Sequence, residues 1–342
     1  MTNNLSALQQ YMGGTVAAPA PTPTLTPEPT PEPTPAPAPE TATGVNGTDG
    51  NDTLQGTSGV DNMLGRNGND RLMGSASGDR LDGGAGTDLA DYSKSGWVDV
   101  DLTRSIQNGG LAGGDTLVSI EGIVGTDQND WLAGDAGANQ LFGGGGADDL
   151  NGRGGADLLD GSWWIDTANY RDSDVAVNVD LLRATQIGGH AEGDILRGIE
   201  NLSGSNHADT LSGDGGANVI AGQAGDDVIE GRGGSDVLTG GQGNDRFVFG
   251  SVEDSAGDRI TDFGSGDLID LRNIDANVHA SGNQGFNFLG FGNFTKSAGQ
   301  LKQVWSGNGS SYLQGDTNGD GTADFSILVD GNFEFRHADL LL

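Results

Sequence analysis

The 342-residue sequence contains no Cys, which excludes disulfide staples and thiolate metal ligands. Aromatic residues make up 6% and apolar residues 34%, too little for a large hydrophobic core. Lys and Arg number 16 against 49 Asp and Glu, a formal net charge of −33. That imbalance argues against nucleic acid and anionic lipid as partners and for cations. No Lys or Arg precedes Arg66, so the N-terminus lacks the basic n-region of a cleaved signal peptide. No apolar run approaches the length of a membrane span. Outside residues 19–39 there is no Pro at all; the ten Pro residues all fall there, in an extended, solvated linker.

What is abundant is Gly, 62 residues of it, and its placement is periodic. From Gly47 a nine-residue unit recurs in three runs of five, over 47–91, 125–169 and 204–248. Gly opens all fifteen units, and the eighth position is apolar in each, from Leu54 to Phe247. The sixth position is Asp52, Asp61, Asp70, Asp79 and Asp88 in the first run. It is Asp130, Asn139, Asp148, Asp157 and Asp166 in the second, and Asp209, Asn218, Asp227, Asp236 and Asp245 in the third. The spacers 92–124 and 170–203 align with each other: Tyr92 matches Tyr170, Val100–Leu102 matches Val179–Leu181, and Gly114-Asp115 matches Gly193-Asp194. Spacer and run together repeat about every 79 residues, as from Gly125 to Gly204. Their "WVDVDL" and "VAVNVDL" segments read as half-buried strands.

Within a unit the first six residues are turn formers and the last three a very short strand. Gly at positions one and four is expected to supply positive φ and close backbone approach. Two units make one coil, and coils stacked at the inter-strand spacing place the sixth-position carboxylates in columns. Two unit charges 5 Å apart repel by about 0.8 kcal/mol in water, and more strongly where water is excluded. A divalent cation between turns reverses that sign. Carboxylates and Gly-rich carbonyls are hard oxygen donors suited to Ca²⁺, and four scattered His with no Cys argue against zinc or copper.

The units "GGAGTDLAD", "GRGGADLLD", "GRGGSDVLT" and "GGQGNDRFV" resemble the RTX (repeats-in-toxin) nonapeptide G-G-x-G-x-D-x-U-x. The resemblance covers about residues 44–248 and implies a parallel β-roll binding several Ca²⁺ ions through the sixth-position Asp and turn carbonyls. Residues 245–342 resemble the C-terminal module of serralysin-type metalloproteases, in "DRITDFGSGDLIDL" (258–271), "GDTNGDGTADF" (315–325) and the terminal "HADLLL". That resemblance implies export from a Gram-negative cell by a type I secretion apparatus that reads an uncleaved C-terminal signal.

The expected organisation is therefore all-β: a disordered N-terminus and linker (1–43), a β-roll in three blocks (44–248), and a C-terminal β module (249–342). Asn139 and Asn218 should weaken the sites they share with Asp157 and Asp236. Position four is not Gly at Ser77, Gln128, Trp164 and His207, which puts those turns in doubt. The loop "DTNGDGTAD" resembles the first half of an EF-hand; Asp316, Asn318, Asp320 and Asp324 there either bind Ca²⁺ or form an acidic hairpin turn. Trp163-Trp164 reads as a cap on its run, with a sugar-stacking pair as the other reading. No H-E-x-x-H or G-x-S-x-G occurs, so neither zinc-protease nor lipase chemistry of those kinds is encoded. The reading that follows is a secreted Ca²⁺-binding protein that is not an enzyme. Two others stand beside it: the export half of an extracellular enzyme, and an adhesin or matrix protein binding cell-surface polysaccharide.

Overall fold

The computed structural model describes residues 42–342; the expectations for the N-terminus and the Pro-rich linker lie outside the described residues. The described chain is all-β, mostly parallel, with four short 3₁₀ turns among its strands. No helix among the described residues is long and apolar enough to cross a membrane.

Strands take up positions seven to nine of each unit, and in six cases run on into the next unit, as in Asp61–Asn67 and Gln140–Gly145. Successive strands alternate between two sheets, so each nonapeptide turn carries the chain from one sheet to the other. Sheet I has four strands, sheet II seven, sheet III twelve and sheet IV six. The first run alternates between sheets I and II, the second between II and III, and the third between III and IV.

The spacers are where one sheet is exchanged for another. In the first, Asp99–Asp101 founds sheet III, Thr116–Val118 closes sheet I, and Gly122–Val124 continues sheet II. In the second, Asn178–Asp180 founds sheet IV, Ile195–Arg197 closes sheet II, and Asn201–Ser203 continues sheet III. The three blocks thus share sheets. The segment after the third run also adds to them: Arg259–Ile260 pairs in parallel with Val237–Gln242, and Leu268–Asp270 with Arg246–Val248. Beyond these, Gln300–Trp305, Ser310–Asp316 and Phe325–Asp330 form an antiparallel meander on sheet III.

Because register steps by whole coils, the eighth-position residues lie over one another. Leu54, Leu72, Ala90, Ile123, Leu141 and Leu159 pair in sequence along sheet II, and Leu211, Ile229, Phe247 and Ile269 along sheet IV. All are buried. The core is a ladder one residue wide rather than a globular interior, which is how so few apolar residues suffice. In the C-terminal segment Phe247, Phe263, Phe333 and Phe335 broaden that ladder into an aromatic cluster, with Phe263 and Phe333 edge to face at 4.8 Å.

Candidate metal centre

The sixth-position residue stands at the start of each strand, and its backbone N–H donates to the carboxylate Oδ1 of the residue one coil on. The bonds Asp52 to Asp70, Asp70 to Asp88, Asp130 to Asp148, Asp148 to Asp166, Asp209 to Asp227 and Asp227 to Asp245 measure 2.7–2.9 Å. Asp61 donates likewise to Asp79, Asn139 to Asp157 and Asn218 to Asp236. The fifteen side chains singled out by the nonapeptide are therefore brought together in columns, and all except Asp52 are buried.

The columns do not stop with the repeats. Asp79 donates to Asp115, Asp88 to Glu121, Asp157 to Asp194, Asp166 to Glu200, Asp236 to Asp258, and Asp245 to Asp267. These six acids were missed as column members. Their signal was present: each stands directly before a short strand with an apolar second residue, as in "DTLV", "EGIV" and "DRIT".

The turns fall into two classes. In seven units (opening at 47, 56, 74, 125, 134, 204 and 213) position two is Thr, Ser or Asp, and its side chain accepts the N–H of position four. The position-two N–H donates in turn to the sixth-position side chain, as from Thr57 to Asp61 and Ser75 to Asp79 at 2.6 Å. These turns are closed on themselves. In the other eight, opening at 65, 83, 143, 152, 161, 222, 231 and 240, positions two and four both have positive φ, from 62° at Arg153 to 149° at Gly86. There the position-two N–H no longer reaches the carboxylate. The second oxygen, Oδ2, of Asp70, Asp88, Asp148, Asp157, Asp166, Asp227, Asp236 and Asp245 is buried with no hydrogen-bond partner. Open turns and orphaned oxygens correspond one to one.

Two expectations about Gly change accordingly. Position one has no positive φ; a Cβ on Gly65 would stand 2.3 Å from Asp70 Oδ2 and 2.4 Å from the Gly83 carbonyl, so the need is for space. Position four needs positive φ only in open turns. Ser77, Gln128 and His207 lie in closed turns and are unstrained, whereas Trp164 holds φ 89° where every other open turn has Gly. Trp163 and Trp164 do not cap the run: sheet III continues past them, and they project at 76% and 78% exposure.

Electrostatics separate the open turns further. Burial pushes Asp148, Asp157 and Asp227 up to about 7, and Asp166, Asp236 and Asp245 up to about 6, with neighbouring carboxylates adding to the effect. An unpartnered buried carboxylate is costly, and it stays charged only beside a cation. Ca²⁺ fits this donor set: all oxygen, with turn carbonyls close by and no nitrogen or sulfur. Among the described residues no three His, Cys, Asp or Glu side chains converge, so an ion in an open turn would require backbone carbonyls beside the carboxylate.

The two Asn sites have a cation of their own nearby. Arg153, in the open turn stacked on the Asn139 turn, donates to the Gly134 carbonyl at 2.6 Å and to both oxygens of Asp101 at 2.7 and 2.9 Å. Arg232, 79 residues on, repeats the arrangement with Gly213 and Asp180. Although burial opposes it, Arg153 holds the Asp101 carboxyl down to about 2.

The EF-hand-like loop connects two strands of the meander, and its acids are engaged by the loop itself. Asp316 accepts N–H bonds from Gly319 and Gly321, Asp324 from Thr317 and from Asn318 Nδ2, and Asp320 from Thr322. Asn318 Oδ1 accepts the Asp320 N–H. These four stay apart from the columns.

Comparison with known proteins finds a repeat model that matches part of the chain. The RTX calcium-binding nonapeptide repeat, described in four copies, matches residues 46–77, 64–91, 124–159, 203–238, 212–247 and 222–255. The chain carries an RTX-type calcium-binding repeat region, and its fold is the parallel β-roll. Among solved structures it is similar to the AlgE6R3 subunit of the Azotobacter vinelandii mannuronan C5-epimerase, at 24% identity over 64% of this chain and 80% of that one. The TM-score of 0.21 gives that likeness no bearing on activity. No curated protein matches the chain.

Proposed function

We propose that this is an extracellular Ca²⁺-binding protein, exported by a type I secretion apparatus and folded by the ion outside the cell. The observation that carries the reading is the pairing of eight open turns with eight orphaned, buried carboxylate oxygens. Asp70, Asp88, Asp148, Asp157, Asp166, Asp227, Asp236 and Asp245 would hold the ions, together with carbonyls of the same turns. When bound, Ca²⁺ supplies the positive charge that makes stacking these carboxylates favourable. Without it the columns repel and the chain stays expanded, in a state suited to export. Extracellular modules bind Ca²⁺ at about 10⁻⁴–10⁻³ M, so an ion scarce in the cytosol becomes a folding signal outside. The lack of Cys and the likeness of residues 258–271 to the tail of exported proteases support the secretion route.

Circular dichroism of the purified chain tests the reading. Strand signal should rise cooperatively as Ca²⁺ is added and not with Mg²⁺, whose small octahedral shell suits turn carbonyls poorly. A full strand signal in chelator would overturn it.

A further inference from the structure

The ends of the three runs share a common arrangement that differs at one hydroxyl. Directly after the runs stand Tyr92, Tyr170 and Phe249, each buried. Each donates its backbone N–H to the third residue of a neighbouring strand: Val124, Ser203 and Asp270 respectively. Further along stand Asp115, Asp194 and Asp258, each preceded by a Gly with φ between 96° and 98°. Each of these three acids accepts, at Oδ1, the N–H of the last sixth-position Asp of its column: Asp79, Asp157 and Asp236. The three ends are thus equivalent in register, although the Asp79 turn is closed and the Asp157 and Asp236 turns are open.

They differ at the second carboxylate oxygen. Tyr92 Oη donates to Asp115 Oδ2 at 3.1 Å, and Tyr170 Oη to Asp194 Oδ2 at 3.1 Å. Phe249 has no hydroxyl, and Asp258 Oδ2 is left buried without a partner. Directly beneath it in the column Asp236 Oδ2 is orphaned too, and both residues are fully buried. In the first two blocks a phenol closes the column; in the third nothing among the described residues does.

We propose that Asp258 forms a further Ca²⁺ site at the junction of the third run with the C-terminal segment, with Asp236 bridging to it from its own open-turn site and the ion taking the place of the missing tyrosine hydroxyl. The site reaches beyond the nonapeptide motif, since Asp258 belongs to no repeat. A hard divalent cation suits it: successive acids of one column each leave a carboxylate oxygen buried without a hydrogen-bond partner, and both donors are oxygen. The site also gives the C-terminal segment its own dependence on the ion, because Asp258 leads into Arg259–Ile260, the strand of sheet III that pairs with Val237–Gln242 on one side and Phe325–Asp330 on the other.

This inference rests on the proposed Ca²⁺-binding function, and the test separates the two. Calcium bound per chain would be counted by calorimetry and by elemental analysis after gel filtration, for the full chain and for Phe249→Tyr. The hydroxyl should bond Asp258 as its counterparts do, so the variant should fold and bind one Ca²⁺ fewer than the parent. Asp258→Asn should lose the same ion, and Tyr170→Phe, which orphans Asp194, should gain one. Equal stoichiometry in the parent and Phe249→Tyr, with the parent binding Ca²⁺, overturns this site alone. A parent chain that binds no Ca²⁺ overturns the site and the function on which it rests.

Discussion

Asp79 and Asp227 hold the same position in the nonapeptide, yet their second carboxylate oxygens have opposite fates. Ser75 N–H saturates the oxygen of Asp79, and the column continues to Asp115, where Tyr92 closes it. Asp227 lies in an open turn, its Oδ2 unpartnered. Asp227→Asn should therefore lower the number of Ca²⁺ ions bound. Asp79→Asn should leave that number unchanged while costing about 1–3 kcal/mol of stability, through a backbone donor left unpaired. Calorimetric titration and urea denaturation of the two variants check both halves. The nonapeptide motif draws no distinction between these residues, because it fixes position six and leaves position two free. The residue at position two decides: Thr, Ser or Asp closes the turn by bonding the position-four N–H, and Gly, Arg or Gln leaves it open. Ser162 alone departs from that rule, with φ 72°.

At the scale of the strand, stability comes from the eighth position. Leu141 is fully buried in sheet II between Ile123 and Leu159, each contributed by a separate coil. Leu141→Ala should cost about 2–5 kcal/mol, because stacked coils joined by backbone hydrogen bonds have little freedom to collapse onto the void. Thermal melting in saturating Ca²⁺ measures this apart from metal binding. These core positions and the coil of two units were legible from the sequence, since a strict nine-residue period leaves one way to bury a lone apolar residue. The exchange of sheets at the spacers was not. "WVDVDL" and "VAVNVDL" read as strands, but which sheet a strand founds depends on partners such as Trp131–Ala133 and Thr210–Ser212, dozens of residues distant. The column acids outside the repeats escaped for a related reason. Glu121 and Asp194 sit in sequence contexts without a nonapeptide, and only stacking shows that each continues a column.

For the whole molecule the consequence is a competition between protons and Ca²⁺. Burial raises Asp148, Asp157, Asp166, Asp227, Asp236 and Asp245 from the ordinary value near 3.8 to about 6 or 7, so the metal-free fold binds more protons than the unfolded chain across that interval. Stability of the metal-free protein should thus fall as pH rises from about 4 to about 7, the reverse of the usual response of salt-bridged carboxylates. With Ca²⁺ bound the carboxylates stay ionised, and the trend should flatten or invert. Urea midpoints at pH 5 and 7.5, in chelator and in excess Ca²⁺, display the crossing.

Amide hydrogen exchange resolved along the chain, with and without Ca²⁺, is the most direct test that the ion orders the open turns. Protection over 65–91, 143–169 and 222–248 should collapse in chelator and return when Ca²⁺ is restored. Equal protection of those segments in both conditions would mean that the roll is held by its narrow apolar ladder and hydrogen bonds alone, and that the orphaned oxygens have no part in folding it.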